Sequence, residues 1–370
     1  MVGSGGEAVM TKNHIVMAST LIFSTLLLPY RTQSQTSTET LLSADNAYNP
    51  IPSPDGKYIA YVRTGWGRHV GISGFGRSNL VSEVVVVDAN GNLVKKNPVA
   101  NAFLSGWTPD STKLVCYRDG EYSLVSRQGA VSGEGRLPGS AKVIGTERAS
   151  YLPRSGLVIW SRRDGVHTIL QTPNGVLARH EGWLGALIAP SPDGKHVATI
   201  GGWPQSHLKV YDIDRKMWAD LGEADIHPDR EWDYIKPSWN PWFTDSSRLA
   251  FFTRNGSVLS ISTPDGSRRT EMTVNGIGGI AAPSPDGQSI AYVIFEPRPR
   301  EGRPDLQFWG GTRVWVVSLN GKSEPLGVTR RSPDETYDLR WLDDHTLVFD
   351  RVGDVMFYKQ ARIWKAEVKR

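Results

Sequence analysis

The chain has 370 residues, 22% of them charged, with a formal net charge of +4 and a single cysteine. So small a net charge, with the basic pairs Arg162-Arg163, Arg268-Arg269 and Arg330-Arg331 scattered among turns, points to a solvated surface and away from a nucleic-acid footprint. One cysteine leaves no intrachain disulfide and no cysteine zinc cluster, and Cys116, in the middle of an apolar run, reads as a small core residue.

Residues 15–28 are mostly apolar, preceded by Lys12 and His14 and followed by Pro29. That is the length of a secretory signal and short for a bilayer span. A signal peptide over residues 1–35 is expected, with Met10 as an alternative start and Thr32-Gln33-Ser34 as a mediocre cleavage site; an uncleaved anchor is the other reading. Export would place the mature protein in the periplasm or outside the cell, with residues 36–370 as one domain.

Beyond this segment the tetrapeptide Ser-Pro-Asp-Gly occurs three times, from Ser53, Ser191 and Ser284. Pro presets the turn, Asp bonds the backbone beside it, and Gly accepts the positive φ that closes it. An apolar run follows each: 57–62, 195–200 and 288–293, read as strands buried on at least one face. Weaker copies are Trp107-Thr108-Pro109-Asp110-Ser111 and Phe243-Thr244-Asp245-Ser246; degenerate ones begin at Leu152 and Trp341. Seven units result, and 289 residues from Asp55 to Asp344 over six intervals give a period of about 48, near that of a four-stranded propeller blade. Asn-Gly or Asp-Gly at 90–91, 174–175, 265–266 and 320–321 closes a second hairpin in four of the units.

The fold class expected is all-β, a propeller of about seven four-stranded blades, with six as the second choice. The 38 glycines and 23 prolines suit many turns; the 13 tryptophans suit packing between blades, or else a lined groove. Ring closure requires a strand from each chain end in one sheet. The last unit supplies 336–342, 346–350 and 361–368, so residues 38–43 are expected to pair with 362–368 and remove the open edge.

Residues 49–62 and 283–293 carry the pattern of a small or aromatic residue, Ser-Pro-Asp-Gly, then Ile-Ala-Tyr. In this the units resemble the TolB-type propeller repeat, a WD-repeat-like motif also present in propellers of prolyl-oligopeptidase relatives. The resemblance spans roughly residues 40–368 and implies a fold more than an activity. The chain departs from TolB, a six-bladed propeller with a smaller N-terminal domain, in having about seven units and no room for that domain. It has no Gly-x-Ser-x-Gly, so the peptidase reading is set aside.

Strand alternation in a blade puts the Pro-Asp-Gly and Asn-Gly turns on one rim and the longer connections, 64–80, 201–206, 222–236 and 295–311, on the other. Binding residues concentrate in such connections. The candidates are Trp66, Arg68 and His69 in the first; His227, Asp229, Glu231 and Trp232 in the third; and Arg298, Arg300 and Arg303 in the fourth. They suit a protein or peptide partner, or an acidic saccharide; equally, their charges suit salt bridges that order long insertions. Gly71 to Gly76 lacks the Lys-Ser/Thr ending of a phosphate loop, and none of the histidines outside the signal forms a metal-ligand spacing. No cofactor, no metal and no catalytic residue is expected.

The leading expectation is a non-enzymatic exported propeller that binds an envelope protein or peptide. The alternative comes from a second resemblance, to propellers of oligogalacturonate lyases, which cleave uronate chains with a metal held by histidines. Their motif is absent, and what remains is that His69, His227, Asp229 and Glu231 share the long-connection rim.

Overall fold

A computed structural model describes residues 38–44, 46–64, 82–100, 103–118, 121–136, 149–164, 166–182, 187–201, 206–225, 239–300, 303–320, 324–355 and 358–369. They belong to one compact unit, Gln35–Arg370. The signal peptide expected at the N-terminus lies outside them. Among the described residues there is no helix, hence none long and apolar enough to cross a membrane.

Twenty-seven strands are described, in chain order. The first, β1 (Glu39–Ser43), stands apart from those that follow it. Blade 1 is β2 (Ala47–Pro52), β3 (Tyr58–Thr64), β4 (Ser82–Asp88) and β5 (Leu93–Ala100), and blade 2 is β6 (Phe103–Trp107), β7 (Lys113–Arg118), β8 (Glu121–Ser126) and β9 (Val131–Arg136). Blade 3 is β10 (Ala149–Leu152), β11 (Leu157–Asp164), β12 (His167–Thr172) and β13 (Gly175–Glu181), and blade 4 is β14 (Leu187–Pro190), β15 (His196–Gly201), β16 (His207–Asp212) and β17 (Met217–Glu223). Blade 5 has β18 (Leu249–Thr253), β19 (Val258–Ser262) and β20 (Arg269–Thr273), and blade 6 has β21 (Ile277–Pro283), β22 (Ser289–Arg300), β23 (Arg303–Ser318) and β24 (Leu326–Gly327). Blade 7 is β25 (Leu339–Asp343), β26 (Thr346–Val355) and β27 (Tyr358–Glu367), completed by β1.

The apolar pattern makes these sheets a ring. In β4 four consecutive valines are buried: Val84 and Val86 pack towards blade 2, while Val85 and Val87 pack towards blade 7. Alternation therefore buries both faces of each central strand. Among the described residues apolar clusters join each pair of neighbouring sheets, and the one containing Ala47, Ile59, Leu342, Val348 and Ile363 joins the last sheet to the first. Cys116 and Trp107 lie in the cluster between blades 1 and 2, so the cysteine is a core residue, its thiol pushed up to about 12 by burial.

The expected closure is present. β1 pairs antiparallel with β27, Glu39 opposite Ala366 and Leu41 opposite Trp364, so the outermost strand of the last blade comes from the other end of the domain. Across this closing seam Gly56, at φ 69°, lies where a Cβ would stand 2.7 Å from the Leu342 carbonyl oxygen.

Blade 5 departs from the four-stranded pattern. Its innermost place is filled by two pieces: Asp225 bridges to Phe252 and Trp242 bridges to Leu249. Pro241, which has no N–H to give a ladder, sits in the lower piece, its carbonyl accepting the Ala250 N–H at 2.8 Å. Residues 226–238 connect the two pieces and lie outside the described residues.

Candidate functional site: the rim of long connections and the closing seam

The two rims are built differently. On the short-turn rim each Ser-Pro-Asp-Gly forms the same closed unit: Ser53 Oγ donates to Asp55 Oδ1 at 2.6 Å, which also accepts the Lys57 N–H, while the Gly56 N–H returns to the Ser53 carbonyl. Ser191 and Asp193 repeat the first of these bonds at 2.6 Å, and Ser284 and Asp286 at 2.5 Å. Each turn is then tied to the next blade. The Asp55 N–H donates to Ser111 Oγ at 3.0 Å, the Asp193 N–H to Ser246 Oγ at 2.9 Å and the Asp286 N–H to Asp344 Oδ1 at 2.8 Å. At these three junctions the turns hold blade to blade.

On the opposite rim the strands of blades 6 and 7 run past the sheet. The 295–311 segment, expected as a loop, is instead the distal part of a two-stranded ribbon: Pro297 pairs with Trp309, Arg298 with Phe308 and Arg300 with Arg303. Two proline-containing register shifts, at Phe295/Pro297 and Pro299/Arg300, let the ladder absorb residues that cannot donate to it. The structure thus brings the backbone positions of Arg298, Arg300 and Arg303 together at one ribbon end. A second ribbon, not foreseen from sequence, is formed by β26 and β27, paired as far as Val355 and Tyr358. The first strand of this blade starts at Leu339, so the expected residues 336–338 lie ahead of it.

The connection between the two blades joins these ribbons. Ser332 bridges to Thr312 and Glu335 to Val352. Thr312 Oγ1 lies 3.1 Å from Thr336 Oγ1 and donates to the Asp334 carbonyl at 2.9 Å. Gly311, at φ 132°, has the Ser332 carbonyl where its Cβ would be, and no other residue fits so close a crossing. Ribbon, connection and ribbon form one continuous wall over blades 6 and 7.

Below this wall blade 7 is unusually polar on both faces, with Glu39 and Arg351 on the one towards blade 6 and Asp350 on the one towards blade 1. Glu39 of β1 pairs with Arg351 of β26 at 2.6 Å, both largely buried, and also accepts the Arg330 N–H at 2.7 Å. The Arg351 guanidinium stands 5.1 Å from the Phe349 ring and 5.2 Å from the Trp364 ring. Asp338 and Asp350 are both fully buried, and Asp350 Oδ1 accepts the N–H groups of Tyr337 and Asp338, each at 2.9 Å. Burial first, and the neighbouring Asp338 carboxyl second, push Asp350 well above the usual carboxylate range against the pull of those N–H groups. The composition of the chain gives no sign of this pair; only the neighbouring strand places reveal it.

Of the residues singled out from sequence, Trp66, Arg68, His69, His227, Asp229, Glu231 and Trp232 lie outside the described residues. The strands that flank them end at the long-connection rim, β3 at Thr64 and β4 at Ser82 for the first group. The described histidines have structural settings: His196 is stacked 5.9 Å from Trp242, His207 Nδ1 lies 3.4 Å from Asp220 Oδ1, and His180 meets Trp218 edge-on at 5.2 Å. Among the described residues no three His, Cys, Asp or Glu side chains converge as a metal site.

No protein-family model matches the chain, and no curated protein matches it. Among solved structures it is similar to the β-propeller domain of the Trilobed protease from Pyrococcus furiosus, described as having an open velcro topology, with a TM-score of 0.54 and 12% identity over 88% of this chain and 98% of that one. It is also similar to TolB from Acinetobacter baumannii (TM-score 0.42, 19% identity, 62% of this chain) and to a putative TolB from Agrobacterium tumefaciens (TM-score 0.43, 15% identity, 73% of this chain and 93% of that one). The chain spans 55% of the length of the Acinetobacter protein. Unlike the open velcro described for the archaeal domain, the ring here is closed by β1 on β27. What the Pyrococcus furiosus domain shares with the present chain is the fold, a β-propeller, here of seven blades.

Proposed function

We propose that this propeller is an exported, non-enzymatic binding protein that holds a protein or peptide of the cell envelope on its long-connection rim. The observation that carries the reading is the difference between the rims. One is closed by short turns bonded to their neighbours; the other bears a wall of two strand ribbons stitched by residues 328–338. Exposed ribbon edges accept an extended segment by backbone pairing, and arginines at a ribbon end favour an acidic one. Arg298, Arg300 and Arg303 are assigned to this contact, with Trp66, Arg68, His69, His227, Asp229, Glu231 and Trp232 contributing from the neighbouring connections.

The test is a binding measurement with purified mature protein. Covalent cross-linking in intact cells identifies the partner, and titration of that partner against the Arg298→Glu/Arg300→Glu/Arg303→Glu variant measures the contact. Weakened binding with unchanged thermal unfolding supports the assignment; unchanged affinity removes the ribbon from the site. Divalent-metal-dependent cleavage of a uronate oligomer by the same preparation would replace the binding reading with the lyase one. Cell fractionation and N-terminal sequencing test export, a cytoplasmic full-length chain being the contrary result.

A further inference from the structure

Blades 1 and 7 meet where the two ends of the domain come together: β1 of blade 7 runs directly on into β2 of blade 1, while the other three strands of blade 7 come from the far end of the chain. The apolar part of this joint is ordinary, with Val348 and Ile363 against Ala47 and Ile59. Two positions beyond Val348 on the same strand stands Asp350, which alternation directs to the same side. Its carboxyl is fully buried, faces the backbone N–H of Asn49 in β2 and has the Asp338 carboxyl as its charged neighbour. Asp350 Oδ2 has no hydrogen-bond partner among the described residues, and neither has Asn49 Oδ1, although Asn49 Nδ2 donates to the Leu104 carbonyl at 3.0 Å.

On β26 itself Arg351 belongs to the other face and pairs with Glu39. From β27 the residue opposite is Ile363. From β2 come Asn49 and Tyr48, from β3 Ile59 and Tyr61 with Arg63 paired to Glu83, and ahead of β25 come Tyr337 and Asp338, with Arg340 two residues beyond. No basic side chain among the described residues bonds to Asp350. Two carboxyls in one dry site do not both ionise without a large cost, and a proton on the second oxygen turns an orphaned acceptor into a donor.

We propose that the seam between the first and last blades is a proton-held clasp, closed while Asp350 is a neutral carboxylic acid and loosened when its proton passes to solvent. The sign follows from the direction already given. A carboxyl held above its unfolded value contributes stability that is whole below the ordinary carboxylate range and is lost as pH rises through the raised value. Because β26 continues into the blade 7 ribbon, loosening acts on the wall assigned to binding without touching its contact residues. The clasp does not depend on that binding assignment.

The full mature chain tests it by two measurements on one pH series. Infrared spectroscopy should show the carbonyl band of a buried carboxylic acid at neutral pH, absent in Asp350→Asn. Amide hydrogen exchange, corrected for its intrinsic pH dependence, should show protection of 39–43 and 361–367 falling by about tenfold per pH unit above the midpoint of band loss, while blade 3 keeps its protection. In Asp350→Asn the seam should stay protected at alkaline pH. No carboxylic acid band at neutral pH, equal loss of protection in every blade, or an unchanged pH response in Asp350→Asn each overturns the clasp. If that variant does not fold, the wild-type series decides alone, since band loss and seam exchange must share one midpoint.

Discussion

The indole N–H of Trp341 donates to the carbonyl of Ala282 at 2.8 Å, across the junction of blades 6 and 7. The same bond joins Trp107 to Ile51 at 2.8 Å and Trp242 to Ala189 at 2.7 Å. In each case the acceptor stands two residues before the serine of a Ser-Pro-Asp-Gly turn, and the donor lies just ahead of the turn of the next blade. These are the same three junctions at which the turn aspartate N–H reaches a Ser or Asp of that next blade. The strong and weak copies of the repeat are therefore complementary halves of a two-point latch.

Replacing Trp341 with Phe keeps most of the apolar contact and removes the N–H, leaving the Ala282 carbonyl buried without its donor. The expected loss is about 1–3 kcal/mol in denaturant unfolding. Trp107→Phe and Trp242→Phe should fall in the same range. A loss common to all three identifies the bond; a loss that instead follows the depth of each ring would assign the effect to packing.

Ser111 occupies the place of the repeat glycine at φ 60°, as Ser246 does at φ 61°. Its hydroxyl supplies the acceptor for the Asp55 N–H, but its Cβ strains a left-handed backbone by about 1 kcal/mol or more. Ser111→Gly exchanges one effect for the other and should be near neutral, whereas Ser111→Ala loses the acceptor and keeps the strain. Alanine is expected to be less stable than glycine by about 1 kcal/mol in thermal unfolding, contrary to the usual ranking in regular strands.

How much of this could be read in the sequence follows from which signals are local. Turn chemistry and period-2 burial are carried by adjacent residues, so the blades, their number and the strand that closes the ring were legible. The weak copies looked like decay because Trp107 and Ser111 do their work on another unit, 56 residues away in sequence. The blade 6 ribbon reads as a loop in the sequence because Pro297, Pro299 and its arginines suppress the strand signal, while the register shifts that accommodate them are set by the partner strand. Nothing local marks Asp338 and Asp350 either, since each is an ordinary acid until the fold brings its neighbour close.

Stability on the acid side is governed by the turn aspartates. The Thr263 hydroxyl, then the Ser267 N–H, lower Asp265 to about 2, and the Thr108 hydroxyl lowers Asp110. At Asp55 and Asp193 partial burial opposes the shift, but the serine hydroxyls and the following N–H groups together prevail. Carboxyls held below their unfolded values contribute above the ordinary carboxylate range and lose that contribution as pH falls through their folded values. Unfolding free energy should therefore decline from about pH 4 downward, and Asp110→Asn and Asp265→Asn should each flatten that decline. An acid limb unchanged in both variants would place its origin elsewhere.

The Glu39–Arg351 pair tests the hold of β1 on the last blade independently of any proton. Both groups are largely buried, so removing one leaves the other charged in a poorly solvated place: Glu39→Ala should cost about 3–5 kcal/mol, with Arg351→Ala similar. The ring stacking of Arg351 on Phe349 and Trp364 adds apolar contact that methionine can replace. The double variant Glu39→Leu/Arg351→Met should consequently recover most of the loss, since an apolar pair of similar volume pays no desolvation. Equilibrium unfolding of the four chains in a double-mutant cycle gives the coupling. If the double variant is as unstable as the sum of the single ones, the pair contributes through bonds that apolar groups cannot replace, including the one from the Arg330 N–H to Glu39 Oε1. Recovery would show that β1 is held to the last blade mainly by its ladder with β27 and the packing beneath it.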